Sequence, residues 1–495
     1  MTTTRAGVGR PPDRGARDPG DTNPPPSEAK LGPRGAMTRR EMLVTGAATL
    51  AGGAALVAGM RGEARAEETP GTSRLASGGS RSEPRALPPG RPGRDYQPVA
   101  VPNGSKLPWR IVGGVKVFHM VAEEVEHELA PGLVATCWGY NGRVHGPLIE
   151  AVEGDRIRIY VTNRLPAPTS VHWHGILLPN GMDGVAGLNQ KAIRPGETFR
   201  YEFTLRQAGT GMYHSHHDEM TQMALGMTGL FVIHPRRPGS LVDRDFALLL
   251  HEWKIDAGSK RPDPNEMTDF NVLTMNAKAF PGTEPLVVRT GQRVRVRIGN
   301  LSAMDHHPIH LHGYQFHITE TDGGPIRASA QWPETTVLVP VGSTRTIEFV
   351  ADAPGDWAMH CHMTHHVMNQ MGHGFPNMVG VDPGDLDRKV RTLLPGYMTM
   401  GQTGMDMSEH LGHMKMPPNS IPMVGAAGKH DYITMGGMFT VLKVRDRLAG
   451  YADPGWYENP PGTLAEAAPD AELGRDGIDV AAPPPGDAGP EVRHG

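Results

Sequence analysis

The run His360-Cys361-His362-Met363-Thr364-His365-His366-Val367-Met368-Asn369-Gln370-Met371, with the pattern H-C-H-x3-H-x4-M, constrains this chain more than any other segment. Side chains alternate between the faces of a β-strand. A strand here sends Cys361 one way and His360 and His362 the other. One strand can then serve two metal centres, joined through adjacent residues. A thiolate, imidazole and a weak axial thioether form the ligand set of a blue-copper electron-transfer site. The two imidazoles on the opposite face point to a second metal cluster that receives the electrons.

Three further histidine groups can supply that cluster: His172-Trp173-His174, His214-Ser215-His216 and His307-Pro308-Ile309-His310-Leu311-His312. Spacing of two places both rings of a pair on one strand face. With His360 and His362 the chain carries eight imidazoles in four such pairs. Neutral imidazole suits copper. His307, three residues before His310, can join Cys361, His366 and Met371 at the cysteine site. His145, His217, His306, His365 and His373 fall outside this spacing and read as supporting or surface residues.

These four motifs, in this order, resemble the copper signatures of the multicopper oxidases, the laccase and cuprous-oxidase family; the likeness spans roughly residues 110–385. The resemblance implies four copper ions. His307, Cys361, His366 and Met371 would bind type 1 copper, and His172 and His310 type 2 copper. His174, His214, His216, His312, His360 and His362 would bind the type 3 pair. It further implies one-electron oxidation of a small reductant, a phenol or a metal ion such as Cu(I), coupled to reduction of O2 to water. Asp183, in Pro179-Asn180-Gly181-Met182-Asp183-Gly184, matches a family acid that assists proton delivery. Val367 stands where some members carry a second acid.

Composition agrees with an exported β protein. The 495 residues include 63 Gly and 46 Pro, as turn-rich sandwiches do, and the formal charge of −4 argues against a nucleic-acid partner. With Cys361 assigned to metal, Cys137 has no disulfide partner and reads as a small core residue. Thr38-Arg39-Arg40-Glu41-Met42-Leu43, the soft apolar run to Met60 and Ala64-Arg65-Ala66 form a twin-arginine signal with a cleavage site, which predicts a periplasmic or extracellular protein; Met37 is a candidate start.

The segments expected are a signal region at 1–66, a disordered linker at 67–105, domain 1 at 106–238 and domain 2 at 239–388. A Met-rich extension at 389–450 and a disordered tail at 451–495 follow. Arg156–Val161 and Arg293–Ile298 alternate in the same place of two similar units, an internal repeat. The expected fold is all-β, two sandwiches that the resemblance makes cupredoxin-like Greek keys. His172 and His360 lie too close in sequence to leave room for a middle domain, so the two-domain, small-laccase arrangement is implied. In that group the clusters form between subunits of a homotrimer. Met220, Met223 and Met227 are spaced as one face of a short helix. The methionines from Met398 to Met438 are either Cu(I) ligands or adaptable packing. Two rival functions are a copper-sequestering protein without turnover, which would not need the H-C-H strand, and copper nitrite reductase. The latter keeps its type 1 cysteine in domain 1, where Ser215 stands here.

Overall fold

The computed structural model describes residues 85–237, 241–256, 258–369, 386–393, 418–422 and 425–482. The signal region, Met371, His373 and the methionines from Met398 to Met423 lie outside the described residues.

Two β-sandwiches share one wiring scheme. In the first, one sheet runs Trp109–Val112, Val115–Ala130, Arg156–Asn163, Thr198–Thr204, with Leu133–Tyr140 also paired to the long second strand. The facing sheet runs Ile149–Val152, Thr228–His234, Gly209–Ser215, Val171–His172. In the second sandwich, Arg244–Trp253, Arg293–Asn300 and Ser343–Val350 are consecutive in one sheet. The other runs Leu286–Arg289, Phe439–Arg445, Gly355–Cys361, His307–Leu311, Thr336–Val339. Each sandwich has one parallel pair per sheet at matching places. Ile149–Val152 lies parallel to Thr228–His234, as Leu286–Arg289 lies parallel to Phe439–Arg445. The crossovers that parallel pairing demands give the Greek-key character.

Phe439–Arg445 therefore belongs to domain 2 and not to the Met-rich extension. Its sheet needs a strand between Leu286–Arg289 and Gly355–Cys361, and the chain supplies it only after a long insertion. The expected linker is corrected as well. From Leu87 onward it is packed as a strap. Gly90 donates to buried Asp155, Val99 donates to Glu150, and Ala100 pairs with Phe246 across the domain boundary. Its isolated bonds leave no periodic trace in the sequence. A Cβ on Gly90 would come within 2.2 Å of Val152 Cγ2, so only glycine allows that approach. The tail likewise begins as packed chain: Tyr451 stacks under Arg244, Trp456 lies under Lys443, and the Tyr457 N–H donates to Asp356.

The two alternating strands differ in burial. Arg156–Asn163 alternates strictly, one face inward. Arg293–Asn300 is buried on both faces toward its end, because its outer face lies against domain 1. There Arg297, 1 % exposed, pairs with Asp245 and Glu320 and donates to Thr210 of domain 1. A Cβ on Gly299 would meet Leu230 and Met212, which are also in domain 1. The methionine helix is short, Glu219–Ala224. Gly226 at φ 110 turns the chain, so Met227 is buried in the first core by the turn and not by a helical face. Cys137 is fully buried against Trp253 in a cluster joining the domains.

Candidate metal centres

The two sandwiches hold their histidines in identical register. In domain 1, His172 faces His214 across an antiparallel pair, and Val171 faces Ser215. In domain 2, His310 faces His360 and Ile309 faces Cys361. The period of two then sends the histidines toward one side and residues 215 and 361 toward the other.

Cys361 is fully buried beside His307 and His366. Its Sγ lies 3.7 Å from His307 Nδ1 and 3.5 Å from His366 Nδ1, and the two nitrogens are 3.1 Å apart. First-row metal ions sit about 2.0–2.3 Å from imidazole nitrogen and thiolate sulfur, so three donors at these separations close around one ion. The far nitrogens are held: Ser302 Oγ is 2.7 Å from His307 Nε2, and an Asp305 carboxylate oxygen 3.4 Å from His366 Nε2. Burial pushes the Cys361 thiol up to about 12 and both histidines down. Neutral imidazoles are ready donors, and a thiolate in this pocket needs a cation to hold it. These three residues fit copper. Met371 lies outside the described residues.

Each sandwich also gathers an imidazole tetrad. In domain 1, His172, His174 and His214 offer nitrogens within 4.8 Å of one another, and the His216 ring lies 5.5 Å from that of His172. His174 Nδ1 and His214 Nε2 face at 3.3 Å. In domain 2, His312 Nε2 and His360 Nε2 face at 3.1 Å, and His310 and His362 complete the group with rings 5.6 Å apart. The outward nitrogens are fixed by the backbone in parallel fashion. His214 Nδ1 bonds the Ser215 carbonyl and His360 Nδ1 the Cys361 carbonyl, both at 2.8 Å. His172 Nδ1 bonds the Asp183 carbonyl, and His310 Nδ1 that of Thr335. Anchoring one ring nitrogen leaves the other free for a ligand and fixes its direction. Burial pushes His214 down to about 3 and also lowers His174, His312 and His360. The tetrads fit imidazole-bound metal. Among the described residues, no ring of one tetrad contacts a ring of the other. His312 and His362 are exposed, and His172, His174 and His216 are half-buried.

Asp183 follows a single 3-10 turn, Asn180–Met182. Its backbone carbonyl binds His172, and its carboxylate oxygen lies 3.6 Å from the same nitrogen. Gly184 at φ 93 lets this loop lie against the Val171 carbonyl, where a Cβ would be 1.8 Å away.

Domain 1 has a counterpart of the cysteine site made of hydrogen bonds. Ser215 stands where Cys361 does, and Thr169 precedes His172 by three residues, as His307 precedes His310. Thr169 and Ser215 both donate to Gln222 Oε1, at 2.7 and 2.5 Å, and Gln222 donates to the Pro168 carbonyl at 2.8 Å. All three side chains are buried. Sequence reasoning missed Gln222, whose helical position gave no signal. It also missed Glu219, 3.5 Å from His214 and His216, and Asp305, although Asp305 lies two residues from His307. Of the extra histidines, His306 accepts from the Val341 N–H, while His145 is buried at the domain boundary beside His251.

Residues 122–238 and 256–380 each match a family model described as multicopper oxidase. The chain is 30 % identical to copper resistance protein A of Escherichia coli, over 37 % of this chain and 38 % of that protein. It is 33 % identical to multicopper oxidase MmcO of Mycobacterium tuberculosis, over 39 % and 44 %. It thus spans about two fifths of the length of these curated relatives. Among solved structures, the multicopper oxidase mgLAC superposes with a TM-score of 0.50 at 26 % identity, covering 68 % of this chain and 87 % of the other. Twin sandwiches in one register, a buried Cys-His-His site and two imidazole tetrads agree with these matches: residues 122–238 and 256–380 are multicopper oxidase domains.

Proposed function

We propose that this protein is an oxidase that takes single electrons from a small reductant, a phenol or a metal ion such as Cu(I), and passes them to O2, forming water. The carrying observation is the strand Gly355–Cys361 with its extension to His362. It joins the buried Cys-His-His site to the domain 2 tetrad through adjacent residues. Copper, when bound, supplies one-electron redox chemistry at the cysteine site and a place for O2 at the imidazoles. His307, Cys361 and His366, with Met371, would hold one ion, and the eight tetrad histidines three more.

The chain's own residues link and orient these sites. The His360 ring bonds the Cys361 carbonyl, giving a short bridge from the thiol-bearing residue to the tetrad. Asp305, part exposed beside His366, marks the side from which a reductant approaches. Asp183 holds a carboxylate beside His172, suited to handing protons to reduced oxygen through water.

A homotrimer is part of this reading. Each tetrad is open to solvent and separate from the other within the chain, so each is half of a site that a neighbouring copy completes. Export by the twin-arginine route, to the periplasm or beyond, accompanies it. The hydrogen-bonded Ser215 knot disfavours the nitrite reductase alternative. Oxygen uptake with a reductant by copper-loaded protein tests the reading; copper binding without uptake would make it a sequestering protein.

A further inference from the structure

Residues 459–482 form an arm that makes no hydrogen bond or ion pair with the rest of the described chain. All but Leu473 are exposed, including the apolar Leu464, Ile478 and Val480, at 43, 56 and 80 %. The arm nevertheless has a definite shape. Its helix Asp470–Asp476 ends at Gly477, φ 70, and the Ile478 N–H closes back onto the Leu473 carbonyl at 2.8 Å. A preshaped segment that shows apolar side chains to water is suited to docking.

We propose that this arm docks on a second copy of the chain, in the cleft beside that copy's domain 1 tetrad. The inference rests on the trimer reading above. The first support is position. The arm is rooted where the Tyr457 N–H meets Asp356, on the strand that carries His360 four residues further on. At about 3.4 Å per residue the root lies roughly 14 Å from the tetrad that a neighbour would face. The eleven residues 459–469 before the helix reach about 35 Å when extended. The second support is charge. The arm carries Glu466, Asp470, Glu472, Asp476 and Asp479 against Arg475, so 1 − 5 = −4.

The third support is the cleft itself. An open cleft of ≈ 870 Å³ lies on domain 1, lined by Pro168, Ala186, Leu188, Lys191, Arg194 and Phe199. His217, next in sequence to His216, is on its wall, so the cleft continues the tetrad's edge. Leu188 is 79 % exposed. Lys191 and Arg194 are exposed, and Glu197, also on the lining, accepts from the Arg194 backbone N–H. An acidic arm with apolar tips matches a cleft that sets Lys191 and Arg194 beside Leu188 and Phe199.

The test uses the full copper-loaded chain and a version ending after Glu458, compared by light scattering over a dilution series. The shortened chain should fall to monomers at a concentration at least tenfold higher, and Lys191→Glu with Arg194→Glu should shift it the same way. In parallel, a benzophenone attached through Ile478→Cys is illuminated; Cys137 and Cys361 are buried and escape labelling. Cross-linked dimers and trimers joined at residues 186–199 are expected. A cross-link within one chain, to another surface, or none, overturns the arm proposal, as does an unshifted dissociation curve. In those cases a full-length trimer still stands. A full-length chain that is monomeric throughout overturns the assembly reading and the arm with it.

Discussion

Gln222 offers a sharp test of how domain 1 holds its histidines. In Gln222→Leu, Thr169 and Ser215 lose their common acceptor and the Pro168 carbonyl loses its donor. The hydroxyls have fallbacks: Thr169 Oγ1 lies 3.4 Å from the Ser170 carbonyl, and Ser215 Oγ 3.2 Å from the His217 carbonyl. Each hydroxyl therefore costs about 0.5–1 kcal/mol, and the stranded buried carbonyl about 1–2. Leucine is close in size and leaves no large cavity, so the net loss is about 2–4 kcal/mol. At about 2–4 °C per kcal/mol for a body of this scale, the melting temperature of copper-free protein should fall by roughly 4–16 °C. The second consequence is directional. Ser215 sits between His214 and His216, so its shift turns both rings, and copper at the tetrads should fall. The blue band from Cys361, in the other sandwich, should persist. Calorimetry, copper analysis and the visible spectrum measure the three quantities. Unchanged melting with full copper would refute the positioning argument; equal loss of colour and cluster copper would show general unfolding instead.

Cys361→Ser should abolish the blue colour while most cluster copper remains, because the rings of His360 and His310 are anchored by backbone carbonyls and not by the thiol; spectra and metal analysis check this. Asp183→Asn keeps the backbone bond to His172 but removes the carboxylate. Stopped-flow traces should show normal bleaching by reductant and recovery with O2 slower by about 100-fold or more. Burial, with Asp305 nearby, pushes Glu252 up to about 8. Its folded pKa exceeds the unfolded one, so the folded state binds the extra proton. Its contribution is fully present below about 4.5 and lost as pH rises through 8. Glu252→Gln should flatten the decline in stability between these limits in copper-free protein, measured by denaturant titration at several pH values; an unchanged slope excludes Glu252 as its source.

The histidine pairs were legible because strand periodicity is strict: spacing of two gives a shared face whatever the surrounding fold. The register of His172 with His214 and of His310 with His360 follows from the same fact plus pairing. What escaped were contacts between distant segments. The strap at 85–105 is held by partners far along the chain, Asp155, Glu150 and Phe246 among them. The strand Phe439–Arg445 was legible as a strand but not as a member of domain 2, since its partners precede a long insertion. Arg297 looked like an outward position on an alternating strand. Its burial depends on Asp245, Glu320 and the opposing domain. Gln222 is an ordinary helical residue until Thr169 and Ser215 are brought beside it.

The knot of Thr169, Ser215 and Gln222 also fixes how traffic moves through the molecule. The two sandwiches are copies in register, yet only one has a sulfur at the inward position. The other is plugged by hydrogen bonds that offer no redox state. In the oxidase reading, each chain is then a circuit with a single input port feeding a four-electron sink. Loads must queue at Cys361 one after another, and no parallel channel through domain 1 shortens the wait. A lesion at that sulfur silences the chain's input outright, whereas the loss of one outer imidazole leaves the port itself intact.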